Sequence, residues 1–145
     1  MSDADYRGRF LWHELMTVDP EGAQGFYTKV VGWGTQRLDA PGMKYVMWTR
    51  GETQIGGLME LPDEARKHGA PPNWMAYIGT PDVEITFMQA IESGAEAHVE
   101  PREIPGAGHF AVLSDPQGAT FAIFTPPAVP PELAGPPQVG DFSWH

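Results

Sequence analysis

The stretch FLWHELMTVDPEGAQGFYTKVVGW, residues 10–33, decides how this chain is read. Phe10 to Val18 is apolar, aromatic and β-branched, the composition of a strand. Asp19-Pro20-Glu21 then opens a helix. Asp serves as N-cap, Pro takes the first helical position, and an acid meets the positive helix end. Ala23, Phe26, Tyr27 and Val30 recur at helical spacing, which predicts one buried face over residues 20–32. Gly32-Trp33-Gly34 closes the helix. Two strands are predicted next, Met43 to Thr49 and Gln54 to Leu61, around the turn Arg50-Gly51-Glu52. Pro62 to Pro72 reads as a polar linker.

The pattern then recurs. Trp74 to Thr80 reads as a strand, and Thr80-Pro81-Asp82 repeats the capping chemistry. Val83, Phe87, Ala90 and Ile91 form a helical stripe that Ser93-Gly94 stops. Gly108 to Leu113 and Ala119 to Phe124 are predicted strands joined by Ser114-Asp115-Pro116-Gln117-Gly118, a turn. A shift of about 62 residues lays strand on strand and helix on helix, an internal repeat. Neither half covers its own sheet well, so the two are expected to share one curved sheet with the helices outside.

Composition bounds the function. The chain has 145 residues, 41% hydrophobic and 19% charged, a length that suits one compact domain. Cysteine is absent, which excludes disulfides, a thiolate zinc site and a cysteine nucleophile. The net charge of −10 repels phosphate backbones and anionic lipid headgroups, so neither nucleic acid nor membrane is an expected partner. The opening Met-Ser-Asp-Ala-Asp-Tyr-Arg has no apolar h-region, and a soluble cytoplasmic protein is expected.

Several of these pieces together resemble one family. They are Val18-Asp19 with Phe26 to Trp33, then Asp82-Val83 leading to Ser93-Gly94-Ala95, then Phe110 to Gly118. The chain is similar to the vicinal oxygen chelate superfamily: glyoxalase I, bleomycin-resistance proteins, fosfomycin-resistance enzymes and extradiol dioxygenases. The resemblance implies an α+β fold of paired β-α-β-β-β modules, with a curved, cup-shaped mixed sheet around the ligand and helices outside. The modules fall at residues 8–61 and 73–125, with linker 62–72, an N-terminal extension 1–7 and a Pro-rich tail 126–145. The family often completes its cup across a dimer, so a homodimer is expected.

Metal-dependent members take His or Glu ligands from four strand positions. The register set by the helix starts and by the Asp115-Pro116-Gln117-Gly118 turn makes these Trp12, Glu60, Met75 (or, on a slip of one residue, Trp74 or Ala76) and Ala122 here. One carboxylate does not hold a divalent metal, so no metal and no other cofactor is expected. With Trp, Met and Ala replacing polar ligands, the cup floor becomes apolar. Trp12, Trp74, Met75, Tyr77 and Phe124 are expected to line it. Strand alternation places Glu14 on the side of Trp12 and Met16, with His13, Leu15 and Thr17 facing the helix layer. Glu14 then orients a ligand or acts as base, and Glu60 is the second candidate. His13 reads as a core histidine, and Gly56-Gly57 and Gly106-Ala107-Gly108 as sheet bends or rim loops.

The expected function is binding of a small, partly apolar organic molecule without a metal, in the manner of a bleomycin-resistance protein. The alternative is a lyase, isomerase or epimerase with Glu14 or Glu60 as base, with or without a divalent metal. The tail adds one more expectation. Residues 126–138 are Pro-rich, and Val139-Gly140-Asp141-Phe142-Ser143-Trp144-His145 echoes Arg7-Gly8-Arg9-Phe10-Leu11-Trp12-His13. Gly, Phe, Trp and His match at the same spacing, as if a further copy of the domain opened here.

Overall fold

The computed structural model describes residues 6–40, 43–128 and 139–142. Its contacts divide the chain into two units, Trp12–Trp74 with Pro136–His145, and Met1–Leu11 with Met75–Gly135. The Trp12–Trp74 unit carries β1 (Phe10–Thr17, from Trp12 onward), α1 (Pro20–Val31), β2 (Gly34–Ala40), β3 (Met43–Arg50) and β4 (Thr53–Glu60). A short helix, α2 (Asp63–Lys67), lies inside the stretch read as a linker. The second unit carries β5 (Asn73–Gly79, from Met75 onward), α3 (Val83–Glu92), β6 (Glu96–Ile104), β7 (Gly108–Ser114) and β8 (Thr120–Thr125). Each unit thus has the order β-α-β-β-β expected of the α+β fold.

Pairing within each unit follows one scheme. In the Trp12–Trp74 unit the strands run β2-β3-β4-β1, with β1 parallel to β4 and the rest antiparallel. In the second unit they run β5-β8-β7-β6, with β5 parallel to β8. A parallel first and last strand needs a crossover, and the helix supplies it.

The capping residues act as read. Asp19 accepts the Gly22 amide at 3.0 Å, and Asp82 accepts that of Ile85 at 2.9 Å. Leu15, Trp33, Val46, Trp48 and Leu58 form the core of the Trp12–Trp74 unit, covered by Ala23 and Tyr27 of α1. The buried face of α1 is narrower than its periodicity predicts, since Phe26 and Val30 are exposed. In the second unit Val83, Ala111, Leu113 and Ile123 pack with Phe87 and Ala90, while Ile91 is exposed.

Two strands carry no clear sequence signal. β2 reads GTQRLDA, without β-branched alternation, and β6 contains Pro101. That proline sits where the β6–β7 register shifts, between Val99 and Arg102, the place a strand tolerates it. Tyr6, read as part of the N-terminal extension, is buried, and Gly8 and Arg9, read as the opening of the first module, exchange backbone hydrogen bonds with Gly79 of β5 in the second unit.

Candidate ligand-binding site

Alternation along β1 sends Trp12, Glu14 and Met16 to one face of the Trp12–Trp74 sheet and Leu15 to the α1 face. On the first face the structure assembles a chain of three polar groups. The Trp12 indole Nε1 donates to the Tyr45 hydroxyl at 3.1 Å, and that hydroxyl donates to Glu14 Oε2 at 2.6 Å. Glu14 is 5% exposed, a carboxylate held out of bulk water. Such a group needs hydrogen bonds, and the phenol supplies a short, charge-assisted one.

Glycine makes the contact possible. Glu14 on β1 pairs with Gly57 on β4, and Tyr45 reaches over that glycine from β3. A Cβ at residue 57 would lie 1.7 Å from the Tyr45 hydroxyl. Gly56-Gly57 is therefore no rim loop. It lies in the interior of β4, with Gly56 beside the irregularity in the β3–β4 register at Trp48/Thr49 and Gly57 bare so that a tyrosine can cross it.

Electrostatics assign the proton. Burial pushes the Tyr45 hydroxyl well above its ordinary value, and the neighbouring Glu14 charge pushes it further. Tyr45 stays a neutral donor at physiological pH, and Glu14 is the basic end of the chain. By alternation Met47 of β3 and Met59 of β4 share this face, and with Met16 they surround the pair with half-buried, adaptable apolar surface.

The other residues singled out from sequence lie elsewhere. Glu60 follows Leu58 on the α1 face and is exposed. It lines a cleft of about 510 Å³ whose charges are mixed: Asp19, Glu21, Arg37 and Lys44. Met75, Tyr77 and Phe124 belong to the second unit, where Tyr77 meets Phe124 edge-on at 6.1 Å and Met75 is buried. Trp74 does not join Trp12. It packs against Tyr27 and Trp33 and donates to the Tyr27 hydroxyl at 3.0 Å. Tyr45 was not legible from sequence, because nothing in MKYVMWTR distinguishes it from a packing tyrosine. The glycine pair in the facing strand was the available signal of a close approach.

The residues at the four positions that the resemblance assigns as ligands do not fit a divalent metal. An indole N–H offers no lone pair, alanine has no donor, the Met75 thioether is soft and buried, and Glu60 is alone. Among the described residues no three His, Asp or Glu side chains gather as a metal set. Among them, too, no helix is long and apolar enough to cross a membrane.

Comparison with known proteins agrees with this architecture. The family described as Glyoxalase/Bleomycin resistance protein/Dioxygenase superfamily matches residues 9–123. A provisionally named glyoxylase, CFP32, from Mycobacterium tuberculosis is 38% identical over 120 residues, which are 82% of this chain and 44% of that protein. The chain thus spans about half the length of the curated relatives it matches. Among solved structures, the hypothetical protein BH1468 from Bacillus halodurans superposes with a TM-score of 0.62 at 17% identity, covering 85% of this chain and 97% of that one. A Streptomyces coelicolor methylmalonyl-CoA epimerase in complex with 2-nitronate-propionyl-CoA gives 0.58 at 18% identity, covering 84% and 99%. At these identities the two structures speak for the fold alone.

Proposed function

Since the chain belongs to the glyoxalase/bleomycin-resistance/dioxygenase superfamily, we propose that it binds a small, partly apolar organic molecule on the Glu14–Tyr45 face, without a metal. One observation carries this reading: a buried carboxylate, oriented by a phenol, on a sheet face lined by Trp12 and methionines. Apolar surface with a few fixed polar groups is what small-molecule sites are made of. Glu14 would meet a donor or cationic group of the ligand, and the negative surface would favour the approach of such a compound.

The same carboxylate supports a second reading, as the base of an epimerase, isomerase or lyase. Those reactions begin by moving a proton from substrate carbon to a base, and Glu14 is the group on this face able to take it. Methylmalonyl-CoA epimerases share the fold, and a CoA thioester is the substrate class this reading favours. Glu60 is the weaker base, because it is exposed. A homodimer in the cytoplasm is the proposed setting.

Native mass spectrometry of freshly purified protein tests both readings. The expected result is a retained organic compound that Glu14→Gln loses. Retention unchanged in Glu14→Gln would overturn the site. Turnover of an acyl-CoA by wild type but not by Glu14→Gln would select the enzyme. Sedimentation at micromolar concentration showing only a 15.9 kDa species would overturn the dimer.

A further inference from the structure

The segment 139–142 is held on the Trp12–Trp74 unit by three unlike contacts. The Trp33 indole donates to the Gly140 carbonyl at 2.7 Å. Arg50 Nε meets Asp141 Oδ1 at 2.6 Å, with both side chains about three-quarters buried. Phe142 stacks on His13 with ring centroids 4.0 Å apart and planes 12° from parallel, flanked by Trp33 and Trp74. Gly56 leaves room for it: a Cβ there would lie 3.4 Å from the Phe142 ring and 2.8 Å from the His13 carbonyl. A hydrogen bond, an ion pair and a ring stack converging on three consecutive residues make a built recognition site.

The occupant has a counterpart in the chain. Gly140 and Gly8, matched by the sequence echo, both take a left-handed backbone, with φ of 96° and 76°. Each ends a turn, and two residues after Gly8 the chain enters β1. The left-handed glycine thus recurs where the sequence repeats. The matched curated relatives are also about twice this chain's length.

We propose that residues 139–142 are the lead-in to the first strand of a further module of the same kind. The Trp33–Arg50–His13 surface is its docking site, with Gly140-Asp141-Phe142 as the recognised sequence. Ser143, Trp144 and His145 lie outside the described residues and enter only through the echo. Charge gives the site its selectivity. The position of Asp141 is Arg9 in the chain's own first strand, and an arginine there would face Arg50. The surface accepts the strand opening with an acid and rejects the one with a base, discrimination by repulsion as well as attraction. Gly140 adds a steric filter, because a side chain there would need a left-handed backbone against Arg50.

The test reads the Trp33 indole N–H by NMR in the full chain. In wild type it exchanges slowly and keeps the shift of a hydrogen-bonded proton. Asp141→Arg and Phe142→Ala are each expected to speed its exchange about tenfold or more, a change of about 1.4 kcal/mol. The reversed pair Arg50→Asp with Asp141→Arg restores protection, which separates docking from a general loss of fold. Adding a synthetic peptide of residues 139–145 to the Asp141→Arg protein should also restore it, whereas a peptide of residues 7–13 should not. Protection unchanged in Asp141→Arg, no rescue by the reversed pair, or equal binding of both peptides would overturn the docking site. A stop codon directly after His145 at the source locus would overturn the further module.

Discussion

Tyr45 and Glu14 are hydrogen-bonded at 2.6 Å although their strands are not neighbours. β4 lies between β3 and β1, so the contact spans two strand spacings, about 9.6 Å of sheet. A tyrosine covers that distance only by lying down across the intervening strand. Gly57 is the residue it lies on, and the absent Cβ is the condition for the contact. Glu14 thus finds a donor across the sheet, on a face lined by Trp12 and methionines.

Gly57→Ala is therefore expected to lift Tyr45 off the sheet. The new methyl would stand 1.7 Å from the hydroxyl if nothing moved. Overpacking of this kind costs about 1–3 kcal/mol. An unfolding free energy lowered by that amount, read as a lower urea midpoint, together with loss of the retained compound, is the expected outcome. An unchanged midpoint would mean that the tyrosine does not occupy this position in solution.

Tyr45→Phe removes the phenol while keeping the ring. The bond to Glu14 disappears, and the Trp12 indole loses its acceptor. A cost of about 1–3 kcal/mol follows, with a change in Trp12 emission. The variant also has a pH signature. The fold raises the Tyr45 pKa above its ordinary 10.0, so the unfolded chain gives up this proton first as pH rises. The contribution is fully present below pH 10.0 and is lost progressively above it. One proton gives at most about 1.4 kcal/mol per pH unit. Denaturation midpoints from pH 9 to 11 should fall more steeply for wild type than for Tyr45→Phe, and parallel curves would contradict the assignment.

The contrast between Glu14 and Tyr45 shows what could be read from sequence. Glu14 was legible because its neighbours Trp12 and Leu15 alternate and Asp19 fixes the register, so the face followed from periodicity. Tyr45 was not, because its role depends on a glycine in another strand. Trp74 misled for a different reason: an aromatic one residue from Met75 takes the opposite face, although Asp82 stands as far beyond Met75 as Asp19 does beyond Trp12 and marks the register of β5 equally well. β2 stayed hidden because Arg37 and Asp39 break any strand alternation. The helix caps and the β-α-β-β-β order, both local, were fully legible. What needed strand pairing was not.

Metal analysis offers an independent check on the proposed chemistry. Trp12, Met75 and Ala122 supply no oxygen or imidazole donor at the positions that the resemblance assigns as metal ligands. Titrating zinc, nickel or manganese into the protein by calorimetry should give no one-to-one isotherm, and elemental analysis after chelator-free purification should find less than a tenth of an equivalent per chain, about the level of adventitious metal. A stoichiometric, saturable site would show that donors outside these four positions have been recruited.

The start of α1 provides a double-mutant test of the local reading on which the register rests. Asp19 caps the helix through the Gly22 amide, and a Cβ at residue 22 would lie 2.3 Å from Asp19 Oδ2. Glycine here is the companion of the cap. Asp19→Ala should cost about 1 kcal/mol. Gly22→Ala gains up to about 1 kcal/mol of helix propensity, but its methyl displaces the carboxylate and forfeits the cap. In the wild-type background the two effects nearly cancel. In the Asp19→Ala background no carboxylate is left to displace, so the same substitution should stabilise by the full propensity gain. Thermal or urea unfolding of the four proteins should yield a coupling of about 1 kcal/mol. Strict additivity would mean that Asp19 does not hold this cap, and the register that places Trp12 and Glu14 on one face would lose its anchor.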